Sequence, residues 1–463
     1  MQKFDTIIIG GGPGGTPAAI QLASKGQKVL LVEKSGKLGG ACLFVGCIPS
    51  KIIKHSADQY AQLKTTALLT QEKLEDMRDL WDDIKKRMDS ILTLRSQAAR
   101  QHIEQLSGLT FSSGTGRFIS DREMEIEEVG GAKNRYGFNN AIIATGSIPF
   151  MPEFRGDAVR EVLKSEMLFQ ERVLPKSMVI IGGGPIGIEL AQMLTKLDVK
   201  CTIIEMMDDL LSGIVEPEFV QALTQKLVAS GIDVFTSSKV VEINKSGGNF
   251  NIIIVDKSGI KKVVLAEQVM AAAGRVPNIE ALHLEAAGIG FNRHGISVND
   301  YLETTVKGIY ATGDVIEGPK FAHTATYEAH IAAANILMGN IHKKEFGKNS
   351  WVLFSDPEIA SAGYTEAEAI RNGFDVVTGS YDYNIDAAAQ ITGDPCGYLK
   401  FVVNRKNSEF LGIHIFTKGA ASIIGEAALM VSKKMTLQDV AQAIHPHPTL
   451  TEAFGFLASN MVG

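Results

Sequence analysis

The sequence predicts an α/β chain with two doubly wound βαβ units, followed by an α+β C-terminal domain. Three observations predict this. The apolar run FDTIII at 4–9 passes directly into the glycine turn GGGPGG, and MVII at 178–181 passes into GGGPIG. Each turn opens a helical pattern that leads to a second apolar run closed by a glutamate. From about residue 349 the texture changes to strand-like and helical stretches with no glycine turn.

The first unit comprises a strand at 4–9, the turn at Gly10–Gly15, a helix to about Lys25 and a strand at Lys28–Val32 closed by Glu33. The second repeats the plan with MVII, a helix to about Leu197 and CTII closed by Glu205. Gly10, Gly12, Gly15 and Glu33 map onto Gly182, Gly184, Gly187 and Glu205 at one constant offset. One such glycine pattern is weak. Two in register, each between strand and helix, strongly indicate paired dinucleotide sites.

In such a unit the first glycine permits the tight turn and the second lets the backbone approach a pyrophosphate. The third lets helix and strand pack closely. The helix N-terminus offers free N–H groups to phosphate, and the strand-end carboxylate accepts from a ribose. Glu205 repels a 2′-phosphate, and the following Met206, Met207, Asp208 and Asp209 supply no arginine, so NAD is expected over NADP. Between the units, polar helical patterns fill 47–107, with a charged stretch at 72–90, and strand-like pieces fill 109–143. A mixed segment at about 277–345 contains GIYATGD. There Asp314 is placed either to bond a polyol chain or to cap the next helix.

The chain has 463 residues, 45% hydrophobic and 21% charged, with a formal net charge of −6. That length predicts three or four domains at roughly 100–200 residues each. No block of like charge points to nucleic acid or an acidic membrane. The N-terminus shows no signal-peptide pattern, and no apolar run is long enough to span a bilayer, so a cytoplasmic protein is expected. Four cysteines are too few for a disulfide scaffold.

Cys42 and Cys47 lie in GGACLFVGCIPSK, just past the first unit. On a regular helix five residues turn about 500°, roughly 140° away from a shared face. The pair can bridge only if Cys42 precedes a helix that starts near Cys47, and Gly39, Gly40 and Gly46 make such irregular backbone available. A cysteine at a helix N-terminus has a stabilised thiolate. Metal binding would need more ligands than two cysteines without a C-x-x-C, and none is expected. The stretch HPHPTLTEAF offers His445 and His447 with Glu452 five residues after the second, a histidine and carboxylate suited to proton transfer. It also reads as a proline-bent surface loop.

GGACLFVGCIPSK, the paired glycine motifs, ATGSIP, YATGD and HPHPTLTE together resemble the pyridine nucleotide–disulfide oxidoreductase family (class I), over essentially the whole chain. Within it they are most similar to the branch that oxidises dihydrolipoyl groups with NAD. The resemblance implies a redox-active Cys42–Cys47 disulfide, FAD and NAD as cofactors, and a homodimer acting on a small dithiol or disulfide or a lipoyl-bearing domain. It implies FAD contacts at Gly10, Gly12, Pro13, Gly14, Gly15, Glu33, Lys51, Ala144, Thr145, Gly146 and Asp314. It implies NAD contacts at Gly182, Gly184, Gly187, Glu205 and Gly274.

In the same family pattern Cys47 lies against the flavin and Cys42 exchanges with substrate. Lys51 stands near the flavin with Glu189 as its partner, and His447 is the base oriented by Glu452, both from the second subunit. The implied domains are an FAD-binding part at 1–148, an NAD-binding domain at 149–275, a central domain at 276–348 and an interface domain at 349–463. Phe44 and Pro446 depart from the family's usual residues and bear on substrate choice, and Pro185 occupies a variable position beside the nicotinamide pocket. A glutathione-type reductase would run from NADPH, which the acidic 205–209 stretch disfavours. A mercuric reductase would carry C-terminal cysteines, whereas the last here is Cys396. A non-catalytic nucleotide-binding component would have no use for the two cysteines, Lys51, His447 and Glu452.

Overall fold

The computed structural model describes residues 1–70 and 77–462, so residues 72–76 of the charged stretch lie outside it. The chain divides into two compact units. One comprises Met1–Met151, Lys164–Leu174 and Gly274–Lys344. The other comprises Pro152–Leu163, Pro175–Ala273 and Glu345–Gly463.

In the first unit β1 (Gln2–Ile9) leads through the glycine turn into α1 (Thr16–Ser24) and on to β2 (Val29–Glu33). The β1 strand pairs in parallel with β2. Its inner run Ile7, Ile8 and Ile9 is buried, as is Val29–Val32. Near-continuous β-branched runs of this kind belong to parallel strands covered on both faces. After α2 (Gly40–Phe44), α3 (Cys47–Thr70) and α4 (Met77–Glu104), the sheet is extended by β3 (Leu109–Phe118), β4 (Glu123–Glu128) and β5 (Lys133–Ile143). The late strand Ile309–Ala311 returns to pair in parallel with β5. A segment far along the chain thereby completes the sheet of the first glycine turn.

The second unit holds two sheets that matter for function. Parallel strands Ser177–Ile181, Lys200–Ile204, Asp233–Phe235 and Gln268–Ala271 surround the second glycine turn and its helix Pro185–Lys196. Pro185 takes the first helical position, where its missing N–H costs no hydrogen bond. The C-terminal segment forms a five-stranded sheet in which Phe410–Thr417 pairs antiparallel with both Glu358–Gly363 and Tyr398–Asn404. Helix Ala420–Ser432 packs on it, and the chain's last helix, Glu452–Val462, carries Glu452 at its first position. Among the described residues no helix is long and apolar enough to cross a membrane.

Candidate active site

The two glycine turns are built alike. Gly10 has φ +114°, and a Cβ there would lie 2.1 Å from the Ala144 carbonyl oxygen. Gly182 has φ +119°, and its Cβ would lie 2.4 Å from the Ala272 oxygen. A Cβ on Gly15 would meet the Gly10 oxygen at 1.9 Å, and one on Gly187 would meet the Gly182 oxygen at 2.0 Å. Sterics therefore demand glycine at the first and third positions. At Gly184 a Cβ would meet no protein atom within 4 Å. Packing does not require glycine there, and the open space beside it leaves room for a ligand to approach the backbone.

Each strand-end carboxylate is held at the mouth of its turn. Glu33 accepts from the Gly11 N–H at 2.8 Å and the Ser35 N–H at 2.9 Å. Glu205 accepts from the Gly183 N–H at 2.7 Å and the Met207 N–H at 2.8 Å. These are fixed acceptors at the ends of buried strands, with lone pairs left for a ribose hydroxyl. Gly14 closes the back of the first turn, where its carbonyl accepts from the Thr312 hydroxyl at 2.9 Å. Beside that turn lies a cavity of about 510 Å³, with Gly12, Pro13, Thr16, Gly39 and Thr326 in its wall.

The ATG and TGD segments meet in the same unit. The Ala144 N–H donates to the Ile9 oxygen, and the Thr145 hydroxyl donates to the Asn278 oxygen at 2.7 Å. Gly146 and Gly274 both have positive φ. Asp314 lies in a single 3-10 turn, Gly313–Val315, and the next helix begins only at Ala322, so capping that helix is not its role. Its carboxylate accepts from the Ser147 hydroxyl at 2.6 Å. Ser147 in turn accepts from Arg275 at 2.7 Å, and Arg275 is paired with Glu166 at 2.9 Å. Sequence reasoning missed Ser147, Arg275 and Glu166, whose partners lie far away along the chain.

Cys42 sits in the five-residue helix α2 rather than in an irregular turn, and Cys47 is the first residue of α3. The break between the helices falls at Val45 and Gly46. A Cβ on Gly46 would press on the Ala41 oxygen at 3.0 Å. The break defeats the angular mismatch of one continuous helix. In this reduced form the Cys42 thiol is hydrogen-bonded to Cys47, and that contact, with burial, holds it well above the ordinary thiol range. Lys51, one turn beyond Cys47, and Arg95 on α4 pull the other way. Nothing in the sequence marks Arg95. Its charge acts on Cys42 because α4 packs against α2. Phe44 ends α2 with the Lys37 ammonium 5.7 Å from its ring centre.

In the second unit His447 faces Glu452, with Nδ1 3.0 Å from Oε2 and 3.1 Å from Oε1. The Thr449 N–H also donates to this carboxylate at 3.0 Å. That bond first, and the imidazole second, hold the Glu452 carboxyl below the usual carboxylate range. His445 is engaged separately, 3.0 Å from Glu426. Glu189, on the second glycine helix, accepts from the Phe354 N–H at 2.9 Å. Among the described residues no cluster of three or more His, Cys, Asp or Glu side chains could hold a metal ion.

Residues 4–329 match the family description "Pyridine nucleotide-disulphide oxidoreductase", and residues 349–458 match its dimerisation domain. The chain belongs to this family. It is 34% identical over 460 residues to a dihydrolipoyl dehydrogenase of Geobacillus stearothermophilus, covering 97% of this chain and 94% of that one. It is 31% identical over 469 residues to that of Staphylococcus aureus, covering 100% and 97%. The HOCl-induced flavoprotein disulfide reductase RclA from Escherichia coli, as its Cu(II) complex, superposes with a TM-score of 0.86. That match covers 99% of this chain and 100% of the other at 23% identity, and shows the shared fold.

As a family member the chain is an oxidoreductase that uses FAD and NAD. The two glycine cradles fit two dinucleotides by the steric test above. Cofactor preference can be checked directly, because the Glu205 carboxylate is expected from the sequence to face the ribose and so to repel a 2′-phosphate. The enzyme should use NAD with a kcat/KM at least about a hundredfold above that for NADP, the scale of a few kcal/mol of like-charge repulsion. Equal values for the two would show that Glu205 does not meet that ribose.

Proposed function

We propose that the protein is a dihydrolipoyl dehydrogenase, a homodimer that oxidises dihydrolipoamide or a dihydrolipoyl-bearing domain with NAD⁺. The observation that carries this reading is the Cys42–Cys47 pair, set across a helix break on the unit that holds the first glycine cradle. Full-length likeness to dihydrolipoyl dehydrogenases supports the substrate. The dimerisation domain supports pairing with a second copy. A reducing compartment, the cytoplasm, suits a thiol pair that must cycle.

The thiol chemistry follows from the residues. One substrate sulfur, losing its proton to His447 of the second subunit, attacks Cys42 of the oxidised pair. The Cys42–Cys47 bond breaks and a bond to Cys42 forms. Cys47 departs as a thiolate stabilised by the N-terminus of α3. The second substrate sulfur then attacks the first, releasing the cyclic disulfide and Cys42. The proton of that second sulfur passes to Cys42 as it leaves, where burial and the Cys47 contact favour the thiol. Glu452 orients the His447 ring and stabilises its cation. FAD would be held by the Gly10–Gly15 turn, Glu33 and Asp314, and would supply the two-electron chemistry that links the reduced thiol pair to NAD⁺.

Steady-state NADH formation from dihydrolipoamide tests the reading. Turnover within about 1–10³ s⁻¹ is expected. A second reading, an NADH-dependent reductase of another small disulfide, draws on Phe44 and Lys37, which pair an aromatic ring with a cation at the end of the helix that carries Cys42. Absence of NADH formation, with brisk NADH-driven reduction of other disulfides, would favour that alternative.

A further inference from the structure

The TGD turn is tied down by a carboxyl that the chemistry above does not use. Glu328 lies on helix Ala322–Met338 and is 1% exposed, yet it is an acid. It accepts from the Gly313 N–H at 2.5 Å. Gly313 has φ +74°, and a Cβ there would press on Ala325 of the same helix at 3.1 Å. The turn that carries Asp314 is thus held through its backbone by Glu328. Its side chain is held by Ser147, with Arg275 and Glu166 behind.

We propose that Glu328 is a positioning residue for FAD: by accepting the Gly313 amide it holds the Thr312–Asp314 turn so that the Asp314 carboxylate meets the flavin's polyol chain. This rests on the reading of Asp314 as an FAD contact. A buried acid is a costly way to satisfy one N–H, since a neutral acceptor would serve. The cost has a consequence. Burial lifts the Glu328 carboxyl to about 7, against the Gly313 amide bond and the Lys344 ammonium, which lower it, and with a smaller push upward from Asp314. Lys320, bonded to the Asp314 carbonyl, is the other charge at this turn. FAD brings an anionic pyrophosphate to the same unit and further disfavours a charged Glu328, so binding takes up a proton. By linkage the grip on FAD weakens as pH rises through neutrality.

The test is the release rate of FAD from the holoenzyme, read as recovery of free-flavin fluorescence on dilution. Glu328→Ala leaves the Gly313 N–H buried without its partner and should speed release about tenfold at pH 6. Glu328→Gln keeps an oxygen acceptor and should stay within about threefold of the wild type at that pH. Wild-type release should accelerate several-fold between about pH 6 and pH 8.5, and the Glu328→Gln profile should be flat. Equal release by Glu328→Ala and wild type would overturn the proposal. So would equal damage by Ala and Gln, which marks mere packing. If the Ala variant does not fold, a Gln variant with the wild-type pH profile overturns it as well. Asp314→Asn separates the premise: unchanged release in that variant rejects the Asp314 contact itself. Fast release there with slow release in Glu328→Ala rejects only the role of Glu328.

Discussion

Cys42→Ser should abolish NADH formation from dihydrolipoamide while leaving the protein folded and yellow. The serine hydroxyl cannot form the disulfide that substrate attacks, and no other thiol substitutes. Cys201 is buried, and its thiol is pushed up to about 12 by burial alone. Cys396 is buried with its thiol also raised. A loss of roughly 10⁴-fold or more is expected, the scale seen when a covalent nucleophile is removed. Anaerobic reductive titration gives an independent reading. Wild-type enzyme should accept two electron pairs, one in the disulfide and one in the flavin, and the variant should accept one. Unchanged turnover in Cys42→Ser would falsify the disulfide mechanism outright.

His447→Gln should slow thiol-driven flavin reduction by about 10² to 10⁴, the range for loss of a positioned general base. The FAD complement should be unaffected, because His447 belongs to the other compact unit of its own chain. Stopped-flow flavin reduction isolates this step from the NAD half-reaction. The sign of the pH effect follows from Glu452. Its carboxyl is depressed by the Thr449 amide and then by His447, so the dyad contact is present above the ordinary carboxylate range and lost only as pH falls through the lowered value. The wild-type rate should therefore fall on the acid side as the Glu452 contact is lost, and that fall should be absent in His447→Gln. Stopped-flow traces that match wild type across pH would assign the proton to another group.

The βαβ units were legible because their signals are local. Near-continuous apolar runs, a glycine turn and a closing glutamate all lie within some thirty residues. The steric reason for Gly15 and Gly187 is likewise contained in the turn, whereas that for Gly10 and Gly182 comes from the Ala144 and Ala272 carbonyls far along the chain. The cysteine spacing also carried its message, since only a broken helix lets residues 42 and 47 meet. That the break falls at Val45–Gly46, with Cys42 in a helix of its own, was not readable. Glycine at 39, 40 or 46 could each have supplied it.

The amino-acid sequence by itself determined the two nucleotide cradles, the thiol pair and the histidine–carboxylate pair, because each is a short-range pattern with its own periodicity or spacing. Only the tertiary structure decided what stands around them. The packing of α4 on α2 brings the charge of Arg95 to bear on Cys42, and Ile309–Ala311 completes the sheet of the first cradle. Ser147 reaches Asp314, and Glu328 reaches the Gly313 amide, across a buried interior. Such contacts join single polar side chains that leave no periodic trace in sequence. They are selected by the cost of an unpaired buried polar group, which exists only once the chain has closed around it.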